Sequence, residues 1–177
     1  MGGRNALCFA HLYPQFVQKL VIEDIGPEGS VNQGQLLAKM LKNIPVPFKN
    51  RKLAKEYFFN DLGDPKLGAY ISTNMTVDLG GQVVWNLDLD GIIETIEKGR
   101  GSVRWNEVKD LTCPTLVIRG ENSEELEISE FEKMKKINPC VVGVEIPRAG
   151  HWVHTDQPKP FIRLVKDFLE KNHETVL

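Results

Sequence analysis

Arg148-Ala149-Gly150-His151-Trp152-Val153-His154 is the stretch on which the reading of this chain turns. A short apolar run, Val141-Val142-Gly143-Val144-Glu145-Ile146, precedes it, and a long amphipathic segment begins at Pro158. A strand, a Gly turn carrying an imidazole and then a helix place His151 in a loop at the carboxyl end of a sheet strand. Open α/β sheets hold their ligand sites there. Taken alone, His151 reads equally well as a simple turn residue.

Two more strands follow from the same kind of pattern. Leu111-Thr112-Cys113-Pro114-Thr115-Leu116-Val117-Ile118-Arg119-Gly120 is a β-rich apolar run closed by a Gly turn, the signature of a buried parallel strand. Phe16 to Ile25 reads as a strand ended by Gly26-Pro27, with Asp24 at its apolar end. Helical patterns alternate with these strands. Leu7, Ala10 and His11 share a face before Pro14, and His11 reads as a core histidine. Leu126, Phe131, Met134 and Ile137 form a second face, and Phe161, Leu164, Val165, Phe168 and Leu169 a third. Alternation of this kind predicts a mainly parallel sheet with right-handed crossovers.

Residues 28–104 differ in character. Helices are expected from Gln33, Arg51 and Asp64, with a short one capped by Asp90 and running through Ile92, Ile93 and Ile96. Gln82 to Asp88 reads as extended chain, without convincing strands. The division is therefore residues 1–27 and 105–177 as sheet core, with 28–104 inserted between strands as a helical cap or lid. The aromatic and Met side chains of the insert fit either an acyl pocket or packing between lid and core. Trp85 within it, and Trp152 beside His151, are the expected substrate contacts.

A sheet whose strands run one way gathers the loop residues Asp24, Ser123 and His151 on one edge. An imidazole oriented by a carboxylate is the base half of a nucleophilic triad. Asp24 also reads as an ordinary turn cap, and Glu121 and Glu124 are rival acids, ranked below it. His151 and His154 lack a third ligand or acidic cluster, so no metal is expected, and no cofactor. The composition, 41% hydrophobic and 26% charged with net charge −2, is that of a globular chain, with nothing favouring nucleic acid or an anionic membrane surface. No apolar run is long enough to cross a bilayer. The three cysteines, Cys8, Cys113 and Cys140, have no metal spacing and read as reduced, buried packing residues of an intracellular protein.

Met1-Gly2-Gly3 ahead of a helix is like the second half of a Gly-X-Ser-X-Gly nucleophile elbow. With Met1-Gly2-Gly3-Arg4, Ala10, Tyr13-Pro14, Leu20 to Pro27, Val83-Val84-Trp85-Asn86-Leu87-Asp88-Leu89, Arg119-Gly120-Glu121-Asn122-Ser123 and Ala149 to Pro158, almost the whole chain resembles the C-terminal part of the α/β-hydrolase superfamily. Within it, the chain is most similar to the esterase group of α/β-hydrolase domain-containing protein eleven and related small bacterial esterases. The resemblance implies an α/β-hydrolase fold with an inserted helical lid, and hydrolysis of a carboxylic ester or acylglycerol. His151 would be the base, Asp24 the acid, and Ser123 an added hydrogen-bond partner near the histidine. The backbone N–H of Met1 would be one oxyanion-hole donor. Many superfamily members carry their acid at the position held here by Ser123, and a serine cannot stabilise an imidazolium by charge. The elbow pattern places the nucleophilic serine just before Met1, so the 177-residue chain is expected to have negligible esterase activity alone. Two other functions compete: a non-catalytic short form that binds lipid or a protein partner, and a hydrolase-fold relative with a carboxylate nucleophile acting on halides or epoxides. The resemblance also implies a mitochondrial setting, with the cytoplasm as the alternative.

Overall fold

Six consecutive buried residues, Thr115–Gly120, form the middle strand of a three-stranded parallel sheet. A strand covered on both faces has no solvent side to mark with polar residues, which is why this one reads as an unbroken apolar run. The computed structural model describes residues 2–29 and 31–170. In chain order the elements are α1 (Gly2–Leu12), a 3-10 turn (Pro14–Phe16), β1 (Leu20–Glu23), α2 (Val31–Lys42), α3 (Arg51–Glu56), a π turn (Tyr57–Asp61) and α4 (Pro65–Ser72). There follow β2 (Met75–Val77), β3 (Val83–Trp85), α5 (Leu89–Arg100), α6 (Trp105–Lys109), β4 (Thr115–Gly120), α7 (Ile128–Ile137), β5 (Val141–Ile146), α8 (Val153–Asp156) and α9 (Pro158–Glu170). They divide into two units, residues up to 30 with those from 99 onward, and residues 31–98.

The first unit contains the sheet, in the order β1-β4-β5, with Leu20 opposite Thr115 and Gly120 opposite Ile146. Side chains alternate across β4. Val117 joins Leu7, Ala10, Ile22, Val108, Phe131 and Met134 in one core, while Leu116 and Ile118 join Ile146, Ala149 and Val153 in another. Val21, Phe161, Leu164, Val165 and Phe168 pack against the second core. The strand expected from Phe16 is shorter than its apolar run: Pro14–Phe16 forms a 3-10 turn and pairing starts at Leu20.

Buried polar groups tie this unit together. Arg4, on α1, is 3% exposed. It donates to the carbonyls of Gly26 (3.3 Å), Pro27 (2.6 Å), Gly99 (3.1 Å) and Ser102. One planar guanidinium thereby satisfies the exits of β1 and of α5, a geometry that lysine cannot reproduce. The glycine at the start of α1 has an equally local cause. A Cβ on Gly3 would collide with the side chain of Ile25, so a side chain from the exit of β1 requires the small residue. His11 is not a core residue; its side chain is 33% exposed and its Nδ1 lies 3.7 Å from Asp110. Of the cysteines only Cys113 is buried, and Cys8 and Cys140 are half-buried.

The second unit has its own core of Leu41, Ile44, Phe48, Ala54, Phe58, Ile71, Val83 and Ile96. Its helices begin on side-chain caps: Asn50 accepts from Leu53 N at 3.0 Å, and Asp64 from Lys66 N at 2.9 Å with Pro65 at the first helical position. Two expectations are corrected here. β2 and β3 form an antiparallel hairpin, closed by Asp78, which accepts from Gly80 N and Gln82 N at 2.9 Å each. The α5 cap is Asp88, which accepts from Gly91 N at 3.1 Å, with Asp90 inside a helix of 12 residues rather than a short one. Among the described residues, no helix is long and apolar enough to cross a membrane.

Glu130, in the first turn of α7, is 8% exposed and accepts from Glu28 N at 2.5 Å. Burial pushes its carboxyl up to about 7, against the lowering effect of that N–H bond and of Arg4, with Glu28 and Glu127 adding to the rise. An unfolded glutamate titrates near 4.3. The folded state therefore holds the extra proton between those values, and the associated stability is present below about 4.3 and lost as pH rises through about 7. Urea unfolding should show Glu130→Gln removing a loss, from pH 5 to pH 8, on the order of 2–3 kcal/mol. The same pH dependence in variant and parent would contradict this account.

Candidate active site

β1 ends in a backbone conformation that few residues adopt. Asp24 has φ 46°, in the left-handed region, where Asp and Asn are the best tolerated residues after glycine. Its N–H still bonds Ile118 O at 2.7 Å, so the chain leaves the sheet abruptly just beyond the last ladder bond. Asp24 is wholly buried, and its carboxylate oxygens are both engaged. Oδ1 accepts from Gly120 N at 2.9 Å; Oδ2 meets His151 Nδ1 at 2.9 Å and accepts from Ser123 Oγ. A carboxylate only accepts, so Nδ1 carries the proton and neutral His151 keeps the lone pair on Nε2. The His151 side chain is 43% exposed. This is the arrangement of an oriented general base: one ring nitrogen fixed by a buried acid, the other available for proton transfer.

The loops that meet at Asp24 are held together by backbone and arginine contacts. Asn122 N bonds Ala149 O at 2.9 Å, and Glu121 N bonds Ile146 O at 3.1 Å. A Cβ on Gly120 would collide with the carbonyls of Ala149 and Gly150, so only glycine lets the histidine loop lie against the end of β4. Arg119 is 7% exposed and donates to Leu126 O (2.7 Å), Glu121 O (3.2 Å) and Ser123 O (3.2 Å), besides pairing with Glu145 on β5. It is the internal scaffold of the 121–126 loop and so of the Ser123 hydroxyl.

The geometry sorts the expected residues. Asp24, Ser123 and His151 come together, but Ser123 bonds the acid rather than the imidazole. Of the rival acids, Glu121 accepts from Arg148 N at 2.8 Å and Glu124 is exposed; neither is bonded to His151. Trp152 lies edge-on to His151, with ring centroids 6.0 Å apart, and Trp85 is on β3 in the unit of residues 31–98. The oxyanion donor expected at Met1 lies outside the described residues. His154 belongs to the four-residue α8 and pairs with Glu23. Among the described residues, no group of three His, Cys, Asp or Glu side chains could hold a metal ion. Sequence reasoning missed Glu23, Arg119 and Gly120. Of these only Gly120 carried a local signal, as the strand-closing glycine.

No family model matches the chain. It is 31% identical over 177 residues to the sn-1-specific diacylglycerol lipase ABHD11 of Mus musculus, covering 96% of this chain and 56% of that protein. A Haemophilus influenzae protein provisionally named an esterase/lipase is 30% identical over 179 residues, covering 97% and 58%. The structure of a marine microorganism esterase superposes with a TM-score of 0.79 at 26% identity, over 94% of this chain and 66% of that one. The structure of E-2-(acetamidomethylene)succinate hydrolase superposes with a TM-score of 0.81 at 21% identity, and at that identity it speaks for the fold alone. The chain has the α/β-hydrolase fold, in its C-terminal part, and is homologous to ABHD11 and to bacterial esterases. It spans a little over half the length of the curated relatives it matches.

The hydrogen bond from Asp24 raises the His151 pKa above its ordinary value, against the lowering effect of burial, and the charges of Glu125, Asp24 and Glu23 add to the rise. The sign follows directly. The folded state binds this proton more tightly, so its contribution to stability is present below about 6.5 and is lost as pH rises through the higher folded value. NMR titration of His151 in the 177-residue chain should give a midpoint above about 6.5. Asp24→Asn should lower it, because burial then acts without the carboxylate. An unchanged midpoint in that variant would remove Asp24 as the orienting acid.

Proposed function

We propose that this chain supplies the acid and base of a serine-type carboxylic ester hydrolase, with His151 as general base and Asp24 as the acid that orients it. The observation that carries this reading is the wholly buried Asp24 carboxylate, held at φ 46° and bonded to Nδ1 of a half-exposed imidazole. A strained backbone that aims a buried acid at a histidine is a costly arrangement for a turn that does nothing more. Homology to esterases and lipases supports the reaction class. In the reaction, Nε2 of His151 takes the proton of an attacking serine hydroxyl and returns it to the leaving alcohol. It then takes a proton from water as the acyl group is hydrolysed. Asp24 stabilises the imidazolium at each stage. Acylglycerols are the proposed substrate class, since one group of relatives is named for diacylglycerol lipase activity.

The nucleophile of this reading is the serine that the elbow pattern places before Met1, with α1 as the helix behind it. Ser123 does not take that role, because its hydroxyl is committed to Asp24. The insert of residues 31–98, which enters the chain between β1 and β4, is the proposed lid. Its hairpin and helices carry the Trp85 contact of this reading.

The 177-residue chain should therefore hydrolyse p-nitrophenyl butyrate no faster than a His151→Ala variant. A fluorophosphonate probe should leave Ser123 unlabelled. A chimera that joins the N-terminal portion of the Haemophilus influenzae relative to this chain should hydrolyse the ester. It should lose on the order of 10⁶-fold in kcat with His151→Ala and on the order of 10⁴-fold with Asp24→Asn. His151-dependent turnover by the chain alone, or an active chimera indifferent to both substitutions, would overturn the reading.

A further inference from the structure

Asp24 is preceded by a second carboxylate, Glu23, that also reaches the histidine loop. Consecutive residues of a strand point to opposite faces, so two neighbouring acids do not ordinarily serve one loop. The left-handed turn at Asp24 changes that. Glu23 keeps the strand alternation and lies on the same side of β1 as Val21, which packs in the core shared with Val153 and Phe161. Asp24, turned by its φ of 46°, directs its carboxylate to the end of the sheet. One residue pair thus grips the loop at two points. Asp24 meets His151 Nδ1 at 2.9 Å, and Glu23 Oε1 meets both His154 N and His154 Nδ1 at 2.8 Å.

The second grip answers a need of the local structure. Trp152 occupies the N-cap position of α8 and provides no side-chain cap. An indole has only an N–H donor, so it cannot accept from the free N–H groups of the first turn. Glu23 supplies that acceptor from another strand, 131 residues away. Asp156 closes the other side of the loop by accepting from Gly150 N at 2.9 Å. Between those two bonds lie His151, Trp152 and the buried Val153.

We propose that Glu23 is a positioning residue of the site: by capping α8 through His154, it fixes the loop that presents His151 to Asp24. The proposal rests on His151 being the base, and its test separates the two ideas. The first measurement uses the 177-residue chain without substrate. Glu23→Ala should speed amide exchange at His154 at least tenfold and abolish the low-field Nδ1–H proton signal of His151. Glu23→Gln keeps an acceptor oxygen of the same reach. It should preserve both observables, while lowering the His151 titration midpoint because the charge is gone. In the active chimera, Glu23→Ala should lower kcat on p-nitrophenyl butyrate about 10–100-fold with KM little changed, and Glu23→Gln should restore most of it. Unchanged exchange and an unchanged Nδ1–H signal in Glu23→Ala would overturn the proposal. So would an active chimera whose kcat ignores Glu23→Ala, or equal losses in Gln and Ala variants. A folded but inactive chimera alongside a Glu23-dependent loop would refute the esterase reading and leave Glu23 as the residue that fixes the loop and the His151–Asp24 contact.

Discussion

The buried carboxylate of Asp24 is the interaction on which the sheet edge depends. A charged group with no exposure is costly unless donors replace its water. Here the donors come from three separate places: the last residue of β4, the loop after it, and the histidine loop after β5. The acid therefore acts as the knot that joins the carboxyl ends of all three strands. Its removal would leave Gly120 N, Ser123 Oγ and His151 Nδ1 without their shared acceptor, and for the buried donors of Gly120 and Ser123 the loss costs about 1–3 kcal/mol each. The strained φ at Asp24 is tolerated because this network over-determines it.

Much of this was legible in the residues. β4 and β5 announced themselves as apolar runs closed by turns, because hydrophobic pattern is what burial selects. The strand-end position of Asp24 and the Gly turn of His151 follow from chain order once the sheet is taken as parallel. The β2–β3 hairpin was not legible. Its strands are three residues each and β2 is largely exposed, so Met75-Thr76-Val77 shows no alternation to read. His11 was misread for a related reason. Its helical neighbours are apolar, but its own partner is Asp110, and no local period reports a contact made across the fold. Glu23 and Arg119 were invisible in the same way, since a charge beside a strand reads as surface until its distant partner is known.

The two buried arginines explain how irregular segments are held with so little apolar surface of their own. Arg4 donates to four carbonyls at the exits of β1 and α5, and Arg119 to three in the 121–126 loop. Loop carbonyls have no ladder partners, and buried ones must be satisfied. A guanidinium, always charged and with five donors in one plane, satisfies several at once. Arg119 also pairs with Glu145, so the scaffold of the Ser123 loop is tied to β5 as well as to β4.

That scaffold bears on why a serine stands at position 123. By the resemblance to α/β-hydrolases, Ser123 would stand where many of them carry their acid, and its Oγ bonds directly to Asp24. A carboxylate at that point would face another carboxylate at hydrogen-bonding distance. Like charges so close cannot both ionise, and one would hold a proton at neutral pH. The acid nearer the imidazole would then share its charge with a rival instead of stabilising an imidazolium. A hydroxyl brings no second charge and instead donates to Asp24. Placing the acid at the end of β1 thus requires a neutral donor at the end of β4. Asp24 and Ser123 form one hydrogen-bonded pair at the joined ends of β1 and β4, so what either side chain does depends on the other.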